Sequence, residues 1–173
     1  MLPIPKHLRD IFVLEGENND EFQASGIIRC DCGSGNFRIK FFADTSEGFL
    51  RVCEYEDDYA LIIKADCNGC GKGYFIHDAS RNGWDGFVCG GGVSVPNEEL
   101  ASWLCPKCGG DNQGMSVTIR SEGRQDFIEE AGIADGDDTF DADDWAEAYS
   151  SISIGLKCPC GYKDNNWIDH ETM

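Results

Sequence analysis

Apolar and polar residues alternate in short runs along most of the chain, the period-two pattern of strands buried on one face. Phe37, Ile39 and Phe41 interleave with Arg38 and Lys40, and Met115, Val117 and Ile119 interleave with Ser116, Thr118 and Arg120. Ile152, Ile154 and Leu156 repeat the pattern, and further strands are predicted over 23–29, 49–55, 59–65, 74–78 and 162–168, with 56–58 as a polar turn. Helical spacing is rare. Leu8, Ile11 and Phe12 allow a short docking helix after Pro3 and Pro5, and 96–104 a short helix or turn. Trp145, Ala148 and Tyr149 fall at i, i+3 and i+4 behind Asp141, a residue type that caps helix N-termini. The predicted class is mainly β, with a short helix in the acidic arm of the second half.

Four short cysteine knuckles punctuate this pattern. Cys30 and Cys32 precede Gly33, Cys67 and Cys70 precede Gly71, Cys105 and Cys108 precede Gly109, and Cys158 and Cys160 precede Gly161. A glycine directly after the second thiol suits a tight turn with φ > 0, which aims two sulfurs at one centre. Two knuckles supply four thiolates, the tetrahedral set that Zn²⁺ takes in structural sites. Pairing in chain order predicts two zinc ions per chain, one on Cys30, Cys32, Cys67 and Cys70, the other on Cys105, Cys108, Cys158 and Cys160. Each knuckle follows or precedes an alternating segment, so the chain divides into a first unit over 1–93 and a second over 94–173, joined near the Gly90-Gly91-Gly92 run.

With these knuckles in place, the chain resembles zinc-ribbon proteins, in which metal knuckles are carried on β-hairpins. The resemblance covers the knuckles and flanking strands and implies two small antiparallel units packed together. One knuckle of each pair here is C-x-C where the ribbon pattern has C-x-x-C. Cys105-Pro-Lys-Cys108-Gly109 also resembles a rubredoxin knuckle, which implies iron and electron transfer as the alternative.

The compartment decides between metal and disulfides. Ten cysteines in 173 residues require one or the other. The N-terminus lacks the uninterrupted apolar core of a signal peptide, and no run approaches membrane-spanning length. A cytoplasmic protein with reduced, metal-bound thiols is therefore expected, with no membrane partner. Cys53, inside a predicted strand, reads as a small buried hydrophobe, and Cys89, without a partner at ligand spacing, as a non-ligand.

Fourteen basic residues against 32 acidic give a net charge of −18. Phosphate binding needs clustered Lys and Arg, none is visible along the sequence, and nucleic acid is not an expected partner. The arm between Cys108 and Cys158 has 49 residues, fifteen more than the arm between Cys32 and Cys67, and 122–147 holds eleven acidic residues against one Arg. Its Asp135, Asp137, Asp138, Asp141, Asp143 and Asp144 lack the spacing of a calcium loop. His77, Asp78, Arg81, Trp84 and Asp85 lie close enough to suggest a polar site, but Arg81-Asn82-Gly83 signals a turn and adjacent strand residues face opposite ways. No nucleophile–base pair or phosphate loop is present, so no enzyme is expected. The reading is a structural-zinc interaction module, an acidic adaptor or inhibitor for a basic protein surface, with Trp145, Tyr149 or Trp84 as anchors.

Overall fold

The computed structural model describes residues 1–46, 50–136 and 138–173. Eleven strands follow one another along the chain: β1 (Phe12–Leu14), β2 (Gln23–Ile28), β3 (Phe37–Phe42), β4 (Cys53–Tyr55), β5 (Asp58–Ala60), β6 (Ile62–Cys67), β7 (Gly73–Asp78), β8 (Ala101–Ser102), β9 (Gly114–Arg120), β10 (Ser151–Lys157) and β11 (Lys163–Glu171). Among the described residues a single α-helix, α1 (Arg124–Glu130), lies between β9 and β10. The mainly β class and the short helix in the acidic arm are as the alternation predicts. The helix sits elsewhere than expected: 141–149 forms only a 3₁₀ turn at Asp144–Ala146, while Phe127 on α1 is the buried anchor. Tertiary contact decides this, because Ala148 and Tyr149 are drawn straight into the core. Near the N-terminus, Leu8, Ile11 and Phe12 are buried through successive turns rather than a helix. Of the strand predicted over 49–55, Phe49 lies outside the described residues, and β4 begins only at Cys53.

The strands form a five-stranded sheet of order β1-β2-β9-β10-β11, a four-stranded sheet of order β7-β6-β3-β8 and the β4–β5 hairpin. Glu56 and Asp57 both take φ > 0 (48° and 69°), the two-residue turn whose twist suits a hairpin. Both large sheets draw strands from 1–93 and from 94–173. The orders β2-β9-β10-β11 and β8-β3-β6-β7 are the same path with the halves exchanged: the first half lends β2, with β1 at its edge, to the sheet of β9, β10 and β11, and the second half lends β8 to the sheet of β3, β6 and β7. Where the halves cross, Phe37 and Gln113 trade both backbone hydrogen bonds, at 2.8 and 2.9 Å.

One core fills the space between the sheets. Val117, Ile119, Ile152 and Ile154 face Phe37, Ile39, Ile63 and Ile76, all essentially without exposure. Burying such a side chain contributes about 1.5–3 kcal/mol, so the positions that alternate also stabilise the fold. Phe41, Trp103 and Trp167 continue the core as edge-on pairs at 5.8 and 6.1 Å.

Candidate metal centres

Each knuckle is a tight turn closed by the same backbone bonds. In the C-x-C knuckles Gly33 donates to the Cys30 carbonyl at 2.8 Å and Gly161 to that of Cys158 at 3.0 Å; in the C-x-x-C knuckles Gly71 donates to Cys67 at 2.8 Å and Gly109 to Cys105 at 2.7 Å. All four glycines have positive φ, between 72° and 91°, which a side chain would strain. Two further N–H groups point at sulfur: Gly69 at Cys67 Sγ, 3.3 Å, and Gly110 at Cys108 Sγ, 3.4 Å.

The turns bring the eight predicted thiols into two clusters. Cys30, Cys32, Cys67 and Cys70 form one and Cys105, Cys108, Cys158 and Cys160 the other, with the ligand atoms of each cluster within 4.8 Å of one another. The closest sulfurs are Cys30–Cys70 at 3.5 Å, and Cys32–Cys67, Cys105–Cys160 and Cys108–Cys158 at 3.6 Å. A tetrahedron of thiolates about 2.3 Å from a metal has edges of about 3.8 Å, whereas a disulfide needs about 2.05 Å. Both clusters fit a metal ion with four sulfur ligands, and all ten cysteines are free thiols. In each cluster two sulfurs belong to buried or half-buried residues and two to residues at the surface or near it, so a metal would close the knuckle ends of both sheets without leaving the protein edge.

The thiols of a cluster do not hold protons equally. Burial opposes ionisation of Cys67, but the N–H groups of Cys70 and Gly69 and the neighbouring thiols lower it to about 6. The Tyr162 N–H lowers Cys160 to about 7 against the effect of burial. Tyr74 works to lower Cys30, yet burial, the Asp31 carboxylate and the Cys32 thiol together push it up to about 12. Four thiols at this spacing share a small number of charges, and a divalent cation relieves their mutual repulsion.

The surroundings of the clusters differ. Around the first, the Tyr74 hydroxyl lies 3.0 Å from Cys30 Sγ and 3.0 Å from Asp31 Oδ1. Lys72 Nζ reaches Asp31 Oδ2 at 2.7 Å and stands 5.2 Å over the Tyr74 ring. The Lys72 ammonium, followed by Cys30 and Tyr74, holds the Asp31 carboxyl far below its ordinary range. Around the second, Lys107 Nζ bonds the Cys160 carbonyl at 3.2 Å, and no hydroxyl reaches a sulfur among the described residues. Sequence reasoning missed this layer; the only signal was a Lys and a Tyr shortly after Gly71.

The remaining candidates fall outside these centres. Cys53 is half-buried on β4 and Cys89 exposed, and neither joins a cluster. His77 and Asp78 close β7 without meeting: Asp78 Oδ1 accepts from Ser80 N and Oγ at 3.0 and 2.6 Å, a turn, while buried His77 Nδ1 pairs with the Tyr149 hydroxyl at 2.8 Å. Tyr149 is 0% exposed, so it is a core residue and no anchor for a partner. Trp84 stacks edge-on against Phe127 at 6.1 Å, and Phe140 links Phe127 to Phe87 at 6.2 and 5.3 Å; this aromatic group, unforeseen in the sequence, pins the acidic arm to the turn at Trp84–Val88. Trp145 is half-buried against the core. In the arm, Asp144 pairs with Lys6 at 3.0 Å and Asp143 with Arg124 at 3.5 Å; Asp137 lies outside the described residues. The carboxylates of Glu122, Glu130, Asp135 and Asp138 are at the surface. No helix is long and apolar enough to cross a membrane among the described residues.

No protein-family model matches the chain, and neither a curated protein nor a solved structure matches it. The assignment of function therefore rests on the residues themselves.

Proposed function

We propose that the protein is a non-catalytic, zinc-ribbon-like interaction module held together by two structural Zn²⁺ ions, whose acidic arm docks on a basic protein surface. The observation that carries this reading is the pair of all-thiol clusters at metal spacing. A metal with four thiolates has no open position for substrate, so its work is to fix the fold. What the fold then displays is the arm: surface carboxylates on a segment held rigid by Phe127 and Phe140. Many carboxylates desolvate cheaply only against cations, so the complementary partner is basic, and long-range attraction speeds its arrival. Elemental analysis of the purified protein tests the first half: two zinc per chain and no visible absorption are expected. An iron–thiolate absorption band would replace this reading with electron transfer. For the second half, affinity capture is repeated with Glu122, Glu129, Glu130, Asp135 and Asp138 made neutral. A basic protein held by the native arm alone is expected; equal capture by both forms would remove the arm from recognition.

A further inference from the structure

The fold assembles a cationic groove that the sequence hides. Among the described residues, seven of the fourteen basic residues make salt bridges: Lys6, Lys40, Arg51, Lys64, Lys72, Arg81 and Arg124. Arg29, Lys157 and Lys163 make none among the described residues, although the chain holds 32 carboxylate side chains. These three line one groove of about 460 Å³ on the outer face of the five-stranded sheet. Its floor includes Gly114 and Ser116, with Gly155 closed over by Ser116 Oγ and the backbone of Asp164 and Asn165, and Glu15 is the single acidic group on its wall among the described residues. Lys157 and Lys163 are direct cross-strand partners in the β10–β11 ladder. Like charges directly opposite one another are destabilising, so their pairing costs the sheet unless an anion lies between them.

The order β2-β9-β10-β11 places Arg29, just past the end of β2, two to three strands from the lysines. At about 4.8 Å per strand the cationic poles stand about 10–14 Å apart at the backbone, a gap that long side chains narrow from both sides. Two poles suit a ligand with more than one anionic group, and Arg29 brings the planar donor fork that matches phosphate oxygens. We propose that this groove binds a small di- or triphosphate compound. A nucleic-acid strand fits less well: no aromatic side chain lines the groove to stack a base, and the net charge of −18 repels a long polyanion. The site is separate from the acidic arm and does not depend on its role.

Calorimetry of the zinc-loaded protein with inorganic pyrophosphate and tripolyphosphate tests the proposal, with metal content measured again afterwards because both probes chelate zinc. One saturable site per chain is expected, weakened at least about tenfold by Lys157→Ala with Lys163→Ala, which is the loss of two charge-assisted contacts. The milder Lys163→Gln should weaken binding while keeping two zinc ions and the native melting temperature. Arg38→Ala on the other sheet should leave binding unchanged. No binding at millimolar probe, or equal affinity in the Lys163→Gln protein, would overturn the groove. Loss of zinc from Lys163→Gln would show instead that the lysines serve only the charge of the adjacent thiolate cluster. Tighter binding of a single-stranded oligonucleotide than of tripolyphosphate would overturn the choice of a small ligand.

Discussion

The two cysteine clusters share one frame and differ in what surrounds it. Each pairs a C-x-C knuckle with a C-x-x-C knuckle, and each closes its turns with the same glycine-to-carbonyl bonds. Yet the first is wrapped by Tyr74, Asp31 and Lys72, with a short β4–β5 hairpin in its arm, and the second has Lys107 alone and a long acidic arm. The frame is under tight geometric demand, because four sulfurs must converge. The arms meet no such demand, and it is in their length, charge and contacts that the two halves diverge.

The strongest way to break the comparison is to disable one cluster. Because each unit lends a strand to the other's sheet, the loss of either cluster should undo the whole core and not one half of it. Cys67→Ser and Cys158→Ser, each removing a buried ligand, should both abolish the cooperative thermal transition, since structural zinc contributes about 10–16 kcal/mol of apparent binding energy at neutral pH. Cys53→Ser, half-buried and outside the clusters, should change stability by about 1 kcal/mol or less. Half of the circular dichroism signal surviving in either ligand variant would mean that the halves fold separately.

A smaller effect distinguishes the arms. Phe127 is 2% exposed and holds the acidic arm through Trp84 and Phe140, so Phe127→Ala should cost about 3–5 kcal/mol, the usual range for a buried aromatic. Tyr59 on the opposite arm's hairpin is 62% exposed, and Tyr59→Ala should cost about 0.5 kcal/mol or less. Chemical denaturation of the zinc-loaded variants measures both, and similar midpoints would remove the aromatic group as the arm's anchor.

How much of this was legible in the sequence follows from the range of the interactions involved. The knuckles and the strands beside them are local patterns, and Ile39, Ile119 and Ile152 occupy the buried positions that alternation assigns. The exchange of β2 and β8 between the sheets was not legible, since alternation says which face is buried and not which strand lies alongside. The same holds for the aromatic group of Trp84, Phe87, Phe127 and Phe140, and for the cations at 29, 157 and 163, which only the sheet order brings together. Asp141 marked a helix start by its local chemistry, but the pull of Ala148 and Tyr149 into the core limited that helix to one turn.

The seam between the halves titrates. Burial lowers His77 well below its ordinary value, with the charges of His170 and His7 adding to the effect, and burial also lowers His7 and His170. A histidine with a depressed folded-state pKa binds fewer protons in the folded than in the unfolded chain below about pH 6.5, so stability is present above that value and lost as pH falls. The melting temperature of the zinc-loaded protein should therefore drop between pH 7.5 and 5.5. His170→Gln should flatten that drop while zinc content stays at two; an unchanged slope would assign the acid sensitivity to the thiolates instead.

The smallest expected effect addresses the clusters' own difference. The single proton of the Tyr74 hydroxyl is shared between Asp31 Oδ1 and Cys30 Sγ, each 3.0 Å away, and the second cluster has no hydroxyl near a sulfur among the described residues. A hydrogen bond to a thiolate withdraws charge from sulfur, which lowers its affinity for a competing proton and its reactivity toward electrophiles. The first cluster should thus yield its metal to acid or to a thiol-modifying reagent more slowly than the second, giving two phases of release. Tyr74→Phe keeps the ring that packs edge-on against Phe37 at 6.4 Å, so the fold should be preserved. What it removes is the hydroxyl, and loss of a partner to a metal ligand typically changes affinity by about tenfold or more. The slow phase should move toward the fast one in this variant, with the fast phase untouched. In the cadmium-substituted protein, ¹¹³Cd resonance shifts should report the change at one metal only. Two equal phases in the native protein, or a shift of both resonances in Tyr74→Phe, would show that the two centres are alike in chemistry as well as in frame.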